Sequence, residues 1–187
     1  MRASERSLVT KLKSGGEEGF REVYDYYSPR VTGFVLRLCG DRCEAEDIVQ
    51  EVFVAAYTSR AQFQGRSTLL TWLLGIAARR WRDRRRKSDF HTIVLSDEHE
   101  DTLALEADAG TSVEKGVIQS LTLNDALEKL APRFREAVLL VVSQGQTYKE
   151  AAEIMGEPVG TVKWRVSQAT RRLAAILHSV EGEFDAM

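Results

Sequence analysis

The sequence predicts an all-α protein of two small helical domains joined by a flexible acidic linker. Three observations predict it. Apolar residues recur at helical i, i+3, i+4, i+7 spacing through most of the chain. That spacing fails between residues 88 and 110, where Asp97, Glu98, Glu100, Asp101, Glu106 and Asp108 crowd among Ser, Thr and Ala. The formal net charge of -2 also conceals a division, with +5 over residues 1–90, -6 over 91–120 and -1 over 121–187. The expected plan is a first domain over 1–90, a linker over 91–118, a second domain over 119–180 and a tail over 181–187.

A hydrophobic content of 43% over 187 residues suits a folded soluble chain of one or two domains. No apolar run approaches the roughly 18 residues a membrane span needs. Met1-Arg2-Ala3-Ser4-Glu5-Arg6 leads into no signal-peptide core, so the expected place is the cytoplasm. Cys39 and Cys43 cannot make a disulfide framework and fit a reducing compartment. Half a metal site or a redox pair is the sharper reading of the two. Ordinary thiols are the better one, because His91 and His99 lack ligand spacing. No Ser/His/Asp set or phosphate-binding glycine loop appears, so neither enzyme chemistry, nor a cofactor, nor a small-molecule substrate is expected.

Residues 17–40 place Phe20, Val23, Tyr24, Tyr27, Val31, Phe34, Val35 and Leu38 on one helical stripe. Ser28-Pro29 reads as an N-cap with proline at the first helical position, so two helices are expected to meet there. Gly40-Asp41 closes the second. Residues 45–58 bury Ala45, Ile48, Val49, Val52, Phe53, Ala56 and Tyr57 and leave Glu46, Asp47, Gln50, Glu51 and Val54 outside. That acidic face is either solvated or docked on a protein.

Residues 63–87 organise the chain. A polar loop, Gln64-Gly65-Arg66-Ser67-Thr68 behind Phe63, leads into a helix with Leu69, Trp72, Leu73, Ile76 and Ala77 inward. The helix then carries Arg79, Arg80, Arg82, Arg84, Arg85, Arg86 and Lys87, with Trp81 among them. A solvated basic surface is the bland reading; a phosphate-binding row is the sharper one. Thr111 with Glu114 suggests a capping box for a helix running to Leu130. Pro132 starts another, with Phe134, Val138, Leu139 and Val142 inward, stopped near Gly145.

Residues 147–176 read as a helix-turn-helix: a Thr147/Glu150 capping box, a short helix, the turn Gly156-Glu157-Pro158-Val159-Gly160, and a second helix. The second helix turns Thr161, Lys163, Trp164, Arg165, Ser167, Gln168, Arg171 and Arg172 outward. A plain αα-hairpin satisfies the same spacing, but the basic outer face favours a DNA reader.

Gly40-Asp41 with Ala45-Glu46-Asp47-Ile48-Val49-Gln50-Glu51-Val52-Phe53, then Thr71-Trp72-Leu73 with Ile76-Ala77, then Gly160-Thr161-Val162-Lys163 with Arg165, resemble the extracytoplasmic-function sigma factors of bacterial RNA polymerase. The resemblance spans about residues 17–177. It implies that Glu46, Asp47, Gln50 and Glu51 dock on the largest polymerase subunit. It further implies that Phe63, Gln64, Gly65, Arg66 and Ser67, with Arg79, Arg80, Arg82 and Arg84, read and open the downstream promoter element. The helix-turn-helix would read the upstream element, and an anti-sigma factor would hold the protein inactive. A dimeric helix-turn-helix regulator that binds a palindrome alone is the alternative. Arg79, where the family often has Asn, and Trp164, where it often has Ser, depart from its pattern. So do Gln168 and Thr170, where basic residues are usual.

Overall fold

The computed structural model describes residues 3–14, 16–95 and 123–184, and every element among them is helical. Helix α1 (Ala3–Ser14) lies close against α2 (Gly16–Cys39): a Cβ on Gly19 would stand 2.6 Å from the Lys11 carbonyl oxygen. The expected break at Ser28-Pro29 is absent, and α2 runs straight through Pro29. Proline removes the N–H that would bond the Asp25 carbonyl, but both residues are exposed and water can take its place. An interior proline costs ~3 kcal/mol. Val23, Tyr27, Val31, Phe34, Val35 and Leu38 stay in phase across it and are all buried. At roughly 1.5–3 kcal/mol for each fully buried large side chain, the stripe outweighs the proline.

Gly40 adopts φ +78 and donates its N–H to the Leu36 carbonyl, closing α2. Asp41 then caps α3 (Arg42–Ser59) by accepting from the Glu44 N–H at 2.7 Å. Helix α3 buries Ala45, Ile48, Val49, Val52, Phe53 and Ala56. Its Tyr57 stays partly exposed, its ring 5.0 Å from Phe20. After a 3-10 turn (Arg60–Gln62) and the loop, α4 (Leu69–Leu95) packs against both α2 and α3. It buries Leu69, Leu70, Leu73, Leu74, Ala77, Ala78 and Trp81. Trp81 thus packs in the core, while Trp72 and Ile76 sit half-buried at its edge.

The second unit comprises α5 (Leu123–Glu128), α6 (Pro132–Val138), a π-helical turn (Leu139–Ser143), α7 (Tyr148–Met155) and α8 (Val159–Phe184). The Thr111/Glu114 capping box and most of the acidic linker lie outside the described residues. Val142, expected inward, is exposed, and Leu140 is buried instead. The π turn explains the exchange: the Gln144 N–H reaches back to the Leu139 carbonyl, which inserts a residue and rotates the chain beyond it. Both halves of the Thr147/Glu150 capping box form, and Gly156 ends α7 at φ +68.

The two units, expected as separate bodies, pack on each other and share one apolar core. Helix α7 lies on α4, and the π turn lies on α2. Polar contacts close the seam. Arg30 donates to the Gln144 carbonyl at 3.0 Å and Arg135 to the Leu38 carbonyl at 2.9 Å. Glu46, Asp47 and Gln50 remain exposed and Glu51 half-exposed, so closure leaves the acidic face of α3 open.

Candidate functional site

The loop ahead of α4 is anchored from below. Phe63 is buried with its ring 5.0 Å from Trp72, so this member of the expected loop site is its foot. Gln64, Gly65 and Arg66 are exposed, with Gly65 at φ +71, and Ser67 is half-buried. Thr68 caps α4: its Oγ1 accepts from the Thr71 N–H at 3.0 Å. The Leu69 N–H donates to Glu5 of α1 at 3.1 Å, which sets a carboxylate at the positive end of α4.

Beside the loop, a cleft of about 410 Å³ opens between α3 and α4. Trp72 and Ile76 give it an apolar wall; Ser59, Gln62, Arg79 and Arg80 give it donors. That combination suits a planar heterocycle attached to a phosphate. The open space lies against α3, and the start of α4 contributes Trp72 to it.

The guanidinium row of α4 divides by helical phase. Arg79 and Arg86, with side chains 81% and 80% exposed, bracket Asp83 at 3.9 and 2.6 Å. Arg80 and Arg84 turn to α3, and Arg84 donates to Glu51 at 2.6 Å. Arg82 turns the other way, into the second unit, and donates to Glu136 of α6. A second cleft, of about 480 Å³, follows this basic side between Arg79, Arg82, Arg86 and Arg133.

Glu136 is fully buried, and nothing in the helical pattern singled it out. Burial pushes its carboxyl up to about 6, with Arg82 and Arg133 holding it down and Glu157 opposing them. Thr71, Gln144 and Gln146 are the other buried polar residues of the seam. Thr71 Oγ1 lies 2.7 Å from Gln146 Oε1 and 3.3 Å from Glu150 Oε1. Burial works to raise Glu150, but hydrogen bonds from Thr147 and Thr71 outweigh it and hold that carboxyl below its usual range. The first turn of α4 is therefore engaged by the chain's own polar groups.

On α8, Lys163, Ser167, Arg171 and Arg172 are exposed, and Thr161 and Gln168 half-exposed. Trp164 is 53% exposed, with its ring 5.4 Å from Phe134. Arg165 points back to the protein, donating to Glu157 at 2.8 Å and lying over the Phe134 ring. Arg172 lies over the same ring at 5.0 Å, so Phe134 sets the pose of several α8 side chains. Cys39 is half-buried and Cys43 exposed, both as free thiols.

Comparison with known proteins completes the assignment. Residues 23–90 match the family Sigma-70 region 2, and residues 120–173 match Sigma-70, region 4. The chain is 32% identical to the ECF RNA polymerase sigma factor EcfG of Rhodopseudomonas palustris over 84% of its own length and 83% of that protein's. It is 28% identical to the RNA polymerase sigma factor CarQ of Myxococcus xanthus, over 94% and 98% of the two chains. The sigma factor RpoE of Bartonella quintana, solved in complex with the anti-sigma factor NepR, superposes with a TM-score of 0.68 at 28% identity. That superposition covers 85% of this chain and 96% of the other. With region 2 ahead of region 4 and a sigma-factor relative of this identity and coverage, the chain belongs to the extracytoplasmic-function sigma factors of RNA polymerase.

Proposed function

We propose that this sigma factor docks on core RNA polymerase through Glu46, Asp47, Gln50 and Glu51, and opens promoter DNA at the cleft between α3 and α4. The observation that carries the reading is the adjacency of these two surfaces. Helix α3 offers carboxylates outward, while its far end and α4 enclose Trp72, Ile76, Arg79 and Arg80. A base leaving the stack costs a few kcal/mol, which a closed pocket and backbone contacts offset. Gln64, Gly65, Arg66 and Ser67 would meet the strand ahead of the cleft, and Arg79 and Arg82 would hold the phosphates of the separating strand. Thr161, Lys163, Trp164, Ser167, Gln168, Arg171 and Arg172 would meet the upstream element, with Arg165 supporting from behind.

The protein does no chemistry of its own. It acts in the cytoplasm on this reading, and among the described residues no helix is long and apolar enough to cross a membrane. An anti-sigma factor is its proposed regulator, by analogy with the relative solved in such a complex. Membership in the sigma family displaces the dimeric-regulator alternative. Purified core polymerase with this chain should initiate from a cognate promoter, and Asp47→Lys should abolish binding to core. Unchanged core binding by Asp47→Lys and Gln50→Ala would remove the docking assignment.

A further inference from the structure

Arg80 and Arg84 stand four residues apart on α4 and so share the side that meets α3. Arg84 donates through Nη2 to Glu51 Oε1 at 2.6 Å, and its Nη1 lies 3.6 Å from Asp47 Oδ2. Arg80 Nη1 adds a longer contact to Glu51 Oε2 at 3.8 Å. Each oxygen of Glu51 thus has a guanidinium beside it. The order of exposure separates support from what is supported: the Arg84 side chain is 31% exposed, Glu51 41% and Asp47 66%. The carboxylates form the outer layer and the guanidinium lies beneath. Arg79 and Arg86, by contrast, pair with Asp83 of their own helix.

We infer that Arg84 is a positioning residue for the polymerase-docking face, fixing Glu51 and Asp47 in the poses they present, and is not a phosphate contact. This rests on the docking reading of α3 proposed above. A long acidic side chain loses rotamer freedom when it binds, and a carboxylate already held by a planar guanidinium has lost it beforehand. Each carboxylate keeps lone pairs for a basic partner, because an ionised carboxyl has about four acceptor sites. Lysine at 84 would keep the charge and lose the fork that spans two carboxylates.

The test uses the full chain and purified core polymerase, with equilibrium binding of core as one readout. The other is the salt dependence of duplex DNA binding by the holoenzyme at saturating core. Arg84→Gln should weaken core binding about tenfold, and Arg84→Lys about threefold, with the holoenzyme's salt slope unchanged. In an Asp47→Asn, Glu51→Gln background, Arg84→Gln should have no further effect, because Arg84 acts through those carboxylates. Additive loss in that background overturns the inference, as does normal core binding with a salt slope reduced by about one. If Arg84→Gln does not fold, Arg84→Lys decides alone: full core affinity overturns it, partial loss supports it. Failure of the unaltered chain to bind core removes the docking reading itself, a result distinct from any effect of Arg84.

Discussion

Arg82 of α4 donates to the Glu136 carboxylate of α6, and its Nη2 reaches the Ile154 carbonyl of α7 at 3.1 Å. One guanidinium therefore ties α4 to two helices of the other unit. The same side chain is a proposed phosphate contact, so closure of the two units and grip on DNA compete for it. Glu5 and Glu150 likewise engage the first turn of the same helix, through the Leu69 N–H and the Thr71 hydroxyl.

Removing Arg82 alone should be costly, because it strips the closest cation from a buried carboxylate. Arg82→Ala is expected to destabilise the chain by about 3–5 kcal/mol at neutral pH. Adding Glu136→Gln should recover most of that loss, since the neutral amide no longer needs a counter-ion. Urea unfolding of the single and double variants measures the coupling. Strict additivity would mean that the contact contributes nothing to closure.

The raised carboxyl of Glu136 gives a pH signature whose sign comes from linkage. Between the ordinary carboxylate value of 4.5 and about 6, the folded chain keeps a proton that the unfolded chain has lost. Stability from this group is therefore full below that window and falls as pH rises through it. The fall across that window is ~2 kcal/mol. Glu150, held low, contributes the opposite slope at lower pH. The informative quantity is thus the difference between the unaltered chain and Glu136→Gln, which lacks the titrating group. Melting curves from pH 4 to about 8 should converge at the acid end and separate above pH ~6, with the variant the more stable. Parallel curves would sink the assignment.

Helix faces were legible because burial has a short period: Ile48, Val52, Phe53 and Leu73 are inward where spacing put them. Caps were legible because their partners lie within three residues, as at Thr147 and Glu150. What pattern missed is long in sequence separation. Glu136 beside an apolar run looks outward until Arg82, 54 positions away, is brought to it. Pro29 looks like a boundary until the stripe on either side is seen to share one core. The acidic and basic residues of the site were individually visible, but their mutual pairing across α3 and α4 was not.

The two cysteines should differ sharply in reactivity. Burial pushes the Cys39 thiol up to about 12, with Glu44 adding to the effect against Arg84 and Arg135. Almost no thiolate is then present at neutral pH. Cys43 is exposed on the first turn of α3. A disulfide reagent should label one thiol per native chain quickly, and the second only on unfolding. Mass mapping should place the fast label at Cys43, and two fast thiols would contradict the packing around Cys39.

Gly19 offers a way to disturb the start of α4 without touching it. A Cβ there would lie 2.6 Å from a backbone oxygen of α1, so Gly19→Ala must push α1 away. Overpacking of this kind costs typically about 1–3 kcal/mol. Glu5 travels with α1, so the Leu69 N–H should lose its carboxylate and exchange faster with solvent. The Thr71 N–H, bonded to Thr68 within α4's own cap, should keep its protection. Amide exchange at Leu69 and Thr71 distinguishes release of α1 from general loosening, which would speed both. If the Glu5 carboxylate screens the mouth of the loop from phosphate, Gly19→Ala should also raise the chain's affinity for single-stranded DNA at low salt. An unchanged affinity with a freed Leu69 amide would show that Glu5 serves the helix end alone.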